Sequence, residues 1–60
     1  MKAFDLLLTA YELRKKAERY RILAGYIGDE HSIAVIKDMA DRCDARAAEI
    51  ERTVRRLHAA

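Results

Sequence analysis

Proline is absent from the 60 residues, glycine occurs twice and cysteine once. Without proline nothing compels a helix to break, and an interior glycine such as Gly25 costs roughly 1 kcal/mol relative to alanine without ending one. A single cysteine cannot close an intramolecular disulfide, and no Cys/His grouping has zinc-ligand spacing. No run approaches the roughly 18 apolar residues needed to span a bilayer. Near the N-terminus Lys2 and Asp5 are charged, and only Leu6, Leu7 and Leu8 run unbroken before Thr9, so the apolar centre of a signal peptide is missing. These features lead us to expect a cytoplasmic chain with no membrane role, to which one thiol is suited. There is also no glycine-rich phosphate loop, and no nucleophile, base and orienting group at a spacing that helices bring together. No enzymatic activity and no cofactor is expected. The net charge of +2 is too small to dictate a partner.

What the chain has is a pair of apolar stripes, each repeating every three then four residues. The first runs through Ala3, Leu6, Ala10, Leu13, Ala17, Tyr20, Ala24 and Ile27, and the second through Ile33, Ile36, Ala40, Cys43, Ala47, Ile50, Val54 and Leu57. With Ala3 and Ile33 taken as heptad position a, a fold-back at Glu30 sets every stripe residue opposite one whose number completes a sum of 60. Small then faces large in most layers: Ala24 with Ile36, Tyr20 with Ala40, Leu13 with Ala47, Ala10 with Ile50 and Ala3 with Leu57. This pattern predicts an antiparallel two-helix hairpin, about 2–27 and 30–58, forming a single domain over 1–60. Read alone, Ile33 to Ile36 could be a strand, but the stripe continues for three more heptads, as no strand would. Gly28 is the expected left-handed cap of the first helix, with Gly25 as the earlier boundary. Asp29 is the expected N-cap of the second, with Ser32 as the alternative.

So short a chain buries only about 60% of the surface its unfolded form exposes. Disulfide and metal being excluded, self-association remains as the route to stability. The composition agrees, since 52% of residues are hydrophobic, more than one two-helix seam can hide. Along one edge of the hairpin, Arg14 and Arg21 fall near Asp44 and Glu51 and can pair. Along the other, Thr9 falls near Thr53, Lys16 near Arg46 and Leu23 near Met39, a combination that does not suit a solvated edge. A second copy is the simplest cover, giving a dimeric four-helix bundle, most simply antiparallel.

Several residues outside the stripes are candidates for contact with a further protein. Phe4, Leu8 and Tyr11, with Leu7, lie near the N-terminus, and Ile22 and Tyr26, with Val35, near the turn. Lys15, Lys16, Arg19, Arg42 and Arg46 form a candidate nucleic-acid face, although Glu12, Asp38 and Glu49 interrupt it and no aromatic is interleaved for base stacking. Cys43 reads as a small buried hydrophobe, or as one of two thiols brought together at a dimer axis. His31 and His58 lie at opposite ends of the second helix with no third ligand, so a metal site is not expected.

The alternation of alanine with large core residues resembles the Rop-type RNA-binding regulators of plasmid copy number, short hairpins that dimerise into four-helix bundles. The resemblance covers the core pattern over the whole length and implies that fold, but no RNA-contact residue of that family is matched here. In local text the chain is similar to short uncharacterised proteobacterial hairpin proteins. The similarity rests on Arg19, Tyr20, Arg21, Ile22, Leu23 and Ala24, then Asp29, Met39, Ala40, Arg46, Ala47 and Glu49 to Glu51. It implies a fold with no known activity. We therefore expect a non-catalytic regulator or adaptor acting as a homo-oligomeric bundle, with a nucleic-acid-binding modulator as the alternative.

Overall fold

A computed structural model describes residues 2–59. Two helices, α1 (Ala3–Ala24) and α2 (Glu30–Ala59), pack on each other as a hairpin. The all-α architecture expected from the stripes is thus the one that forms. α1 is built mainly from alanine, leucine, arginine, lysine and glutamate, which lose little side-chain freedom in a helix. Its first turn carries Asp5, where a negative charge opposes the helix dipole, while Lys2 in the cap position provides no side-chain hydrogen bond.

α2 starts behind a well-formed cap. The Asp29 carboxylate accepts the Ser32 backbone N–H at 2.8 Å, and the Asp29 carbonyl accepts that of Ile33 at 3.0 Å. Asp29, not Ser32, therefore satisfies the free amides of the first turn. Glu30, the first helical residue, adds a second negative charge there.

The end of α1 differs from expectation. The helix stops at Ala24 rather than Ile27, and Gly25, the earlier of the two candidate boundaries, is its cap. Gly25 has φ −69° and ψ −16°, and no described residue has a positive φ, so the left-handed cap expected at Gly28 does not form. The chain instead tightens. Gly25 N–H donates to Ile22 O at 3.0 Å, Tyr26 N–H to Leu23 O at 2.9 Å and Ile27 N–H to Ala24 O at 3.4 Å, all three residues back rather than four. Ile27 still turns inward and is half-buried. At the other end, α2 runs one residue beyond the expected 58, to Ala59.

The hairpin is a rod with Cα extents of 48 × 13 × 13 Å. Its radius of gyration, 14.0 Å, exceeds the roughly 10 Å of a compact chain this long. A single layer of two helices has no enclosed interior. Accordingly the buried residues are all small: Ala10, Ala17, Ala24, Ala40, Ala47 and Val54. Every one of them occupies heptad position a. No helix among the described residues is long and apolar enough to cross a membrane.

Candidate interaction face

The two long edges of the hairpin differ. On the helical wheel position e adjoins a, whereas g adjoins d, and in an antiparallel pair the two e edges lie on one side and the two g edges on the other. The e side is closed. Arg14 Nη2 lies 2.6 Å from Glu51 Oε1 and its Nη1 3.2 Å from Asp44 Oδ1, while Arg21 Nη1 lies 2.7 Å from Asp44 Oδ2 and its Nη2 3.0 Å from Asp41 Oδ1. This ladder lies alongside the buried alanines, and it includes the pairs expected of Arg14 and Arg21 with Asp44 and Glu51.

The ladder also sets the charge state of its members. The Arg21 guanidinium, and after it that of Arg14, holds the Asp44 carboxyl below the usual carboxylate range. Arg14 does the same to Glu51, and hydrogen bonds from the Ser32 side chain and backbone do so to Asp29. Both arginines are in turn held above their ordinary value, Arg14 chiefly by Glu51 and Arg21 chiefly by Asp44.

The g side is open. Position d carries Leu6, Leu13, Tyr20, Ile27, Ile36, Cys43, Ile50 and Leu57, and none of these side chains is fully buried. The first seven are half-buried and Leu57 is 56% exposed. Cys43 is thus less buried than its sequence position opposite Ala17 suggests. Leu13 lines a shallow, open depression of about 270 Å³ together with Thr9, Glu12, Lys16 and Arg19. Further along the same edge Leu23, Val35 and Met39 are exposed, and Tyr26, in the turn beyond it, is 86% exposed. Thr9 and Thr53 direct their hydroxyls to their own helix, donating to Asp5 O and Glu49 O at 3.0 Å each.

Four of the five candidate nucleic-acid residues gather on this open side. In the facing register Lys16 stands level with Arg46 and Arg19 with Arg42. Among the described residues Lys16 and Arg19 make no ion pair. Lys16 Nζ sits 5.9 Å from the Tyr20 ring centroid. Arg42 is bound to Asp38 at 2.9 Å and Arg46 to Glu49 at 3.8 Å. Lys15 stands apart from these four, a quarter-turn round α1, where its ammonium meets Glu18 at 3.5 Å and the Tyr11 ring at 6.0 Å.

The candidate protein contacts separate into two groups. Phe4, Leu8 and Tyr11, with Leu7, share the outer face of α1 at intervals of three and four residues, and Phe4 is 72% exposed. Ile22 continues that face three turns later, beyond Lys15 and Glu18, whereas Tyr26 lies past the end of α1, in the turn. His31 and His58 are exposed at opposite ends of α2. Among the described residues no three His, Cys, Asp or Glu side chains are grouped to hold a metal ion.

The half-open d row was missed in the sequence, although its signal was present. Large residues occupy d in both helices, alanine dominates a, and wheel geometry places d beside the uncharged and like-charged g positions. Comparison of the chain with protein-family models, with curated proteins and with solved structures finds no match.

Proposed function

We propose that this chain is a non-catalytic interaction protein, a cytoplasmic regulator or adaptor that acts as a self-associated helical bundle. The observation that carries this reading is the asymmetry of the two edges. Ion pairs close the alanine side, while a full-length row of large apolar residues lies half-open on the other. Exposed apolar surface on so small a hairpin marks a contact, and covering it supplies the burial that a two-helix layer lacks. Phe4, Leu8, Tyr11 and Ile22 lie off that side and are left for a further protein, with Tyr26 in the turn. Sedimentation equilibrium over a wide concentration range, with helicity followed in the same samples, tests the reading. A helical dimer is expected, and a monomer at every concentration overturns it.

A second reading follows from the grouping of Lys16, Arg19, Arg42 and Arg46 on the same side. Four cations across two helices can neutralise backbone phosphates, so the alternative is a nucleic-acid-binding modulator. Counterion release then requires affinity to fall steeply with salt. Retention of RNA or duplex DNA on a filter at low salt, lost as salt rises, is the outcome this alternative requires.

A further inference from the structure

Resting on the self-association reading, we infer that the second copy docks on the open g side turned end over end, so that the two turns lie at opposite ends of the bundle. The argument is one of charge and register. From the turn toward the free ends, this side presents Val35, then Leu23 and Met39, Arg19 and Arg42, Lys16 and Arg46, Glu12 and Glu49, Thr9 and Thr53, and lastly Asp5 and Arg56. Between the apolar levels near the turn and the threonines, cations thus come first and carboxylates after them, while the free ends carry one charge of each sign, Asp5 and Arg56.

A two-fold axis crossing the helices at the level of Lys16 and Arg46 makes the order from Leu23 and Met39 to Thr9 and Thr53 self-complementary. Glu12 then lies against Arg19 of the second copy, and Glu49 against Arg42 of the second copy. Symmetry forms each pair twice. Leu23 comes beside the Thr9 methyl and Met39 beside that of Thr53, and both threonine hydroxyls are already bonded to their own helices, so covering them orphans no donor. The d rows also come into register: Leu6 is level with Ile36 of the second copy, Leu13 with Cys43, Tyr20 with Ile50 and Ile27 with Leu57. Lys16 and Arg46 gather at the axis, where long stems let their charged ends reach water.

The other closed arrangement, turn beside turn, sets Lys16 on Arg46, Arg19 on Arg42 and Glu12 on Glu49. These are three like-charge contacts, each made twice, and only Asp5 with Arg56 is attractive. The gain of Leu23 on Met39 is small, because the end-over-end dimer also covers Leu23 and Met39. Juxtaposed like charges select against a wrong partner orientation more strongly than exposed pairs favour a right one.

Two measurements test this. Gly28 faces open space, so a spin label at Gly28→Cys in a Cys43→Ala background reports the separation of the two turns. The expected distance is about 36 Å, from 24 residues of rise at 1.5 Å. A distance below about 20 Å in a confirmed dimer overturns the orientation and leaves self-association standing, whereas a monomer in sedimentation overturns both. In the chain with its natural Cys43, Glu12→Arg and Arg19→Glu should each weaken association about tenfold, and the double variant should recover most of the loss. These exposed side chains are not needed for the hairpin seam, so helicity at high concentration should hold. Absence of recovery overturns the proposed pairing.

Discussion

Arg14 and Glu51, 37 residues apart in sequence, meet at 2.6 Å across the closed edge of the hairpin. The same arginine reaches Asp44, which Arg21 also holds, so two cations and three carboxylates including Asp41 bind α1 to α2. Exposed pairs of this kind contribute little individually and are screened by salt. They favour this register, because a slip of α2 by one heptad brings Lys37 or His58 into the ladder in place of one of its carboxylates.

The ladder gives stability a dependence on acid. Asp44, Glu51 and Asp29 are held below their ordinary values in the folded chain. The unfolded chain therefore binds more protons as pH falls, and the stability these groups contribute is present above the unfolded values and lost on descent through the folded ones. Thermal melts should be level from pH 7 to about pH 5 and fall below about pH 4. In the Arg14→Met, Arg21→Met double variant the fall should be shallower, leaving the part due to Asp29. An unchanged acid limb would show that the ladder does not form in solution.

Ala17 has no exposed surface and sits at mid-length in the row of small residues. Its substitution by leucine adds volume where the two helices approach closely. Overpacking of this kind costs about 1–3 kcal/mol, a large part of the total stability of a chain this short. Ala45→Leu on the exposed outer face of α2 is the control and should leave urea denaturation within about 0.5 kcal/mol of the parent. If the two variants melt alike, the alanine row is not the close-packed seam.

The seam and its charged edge were legible in the sequence because each depends on period and facing register alone. Alanine at a and large residues at d, continued over four heptads, set small against large once the turn near Glu30 fixes the antiparallel alignment, and Arg14 and Arg21 then fall beside acids. The end of α1 was not legible, and Ile27 shows why. It keeps the apolar period and packs inward although it lies outside the helix, since periodicity reports which side chains are buried and not which backbone groups are hydrogen-bonded. Gly28 suggested a left-handed cap by residue type, while the actual turn closes through three-residue backbone bonds at Gly25. The candidate site was half legible: like charges and apolar residues on the g edge marked it as unfinished, but the openness of the d row depends on which side of the seam each large side chain points.

The two glycines should therefore respond differently to alanine. Gly28 has an ordinary backbone conformation, with nothing within 4 Å of the position a Cβ would take. Gly28→Ala removes freedom mainly from the unfolded chain and should stabilise by about 0.4–1 kcal/mol. At Gly25 the added carbon would stand 3.2 Å from the Ile22 carbonyl oxygen, a tight approach against backbone that closes the last turn. Gly25→Ala should bring less stabilisation or none. Equal gains at both positions, in melts of the two variants side by side, would mean that the turn is looser than the bonding at Ile22 implies.

Cys43 offers a direct readout of whether the open side is covered. Its side chain is half-buried in the hairpin and belongs to the d row, which the proposed second copy would cover. A thiol that reacts only in the free hairpin is protected by mass action, so labelling by a disulfide reagent in excess should slow about tenfold when nine-tenths of the chains are associated. The rate should follow the concentration dependence of the sedimentation mass, and weakening association by Glu12→Arg should restore it without loss of helicity. Labelling that stays constant from dilute to concentrated protein, while the mass doubles, would place the contact on another face. Phe4, Leu8 and Tyr11 on the outer side of α1 would then be the residues to substitute next.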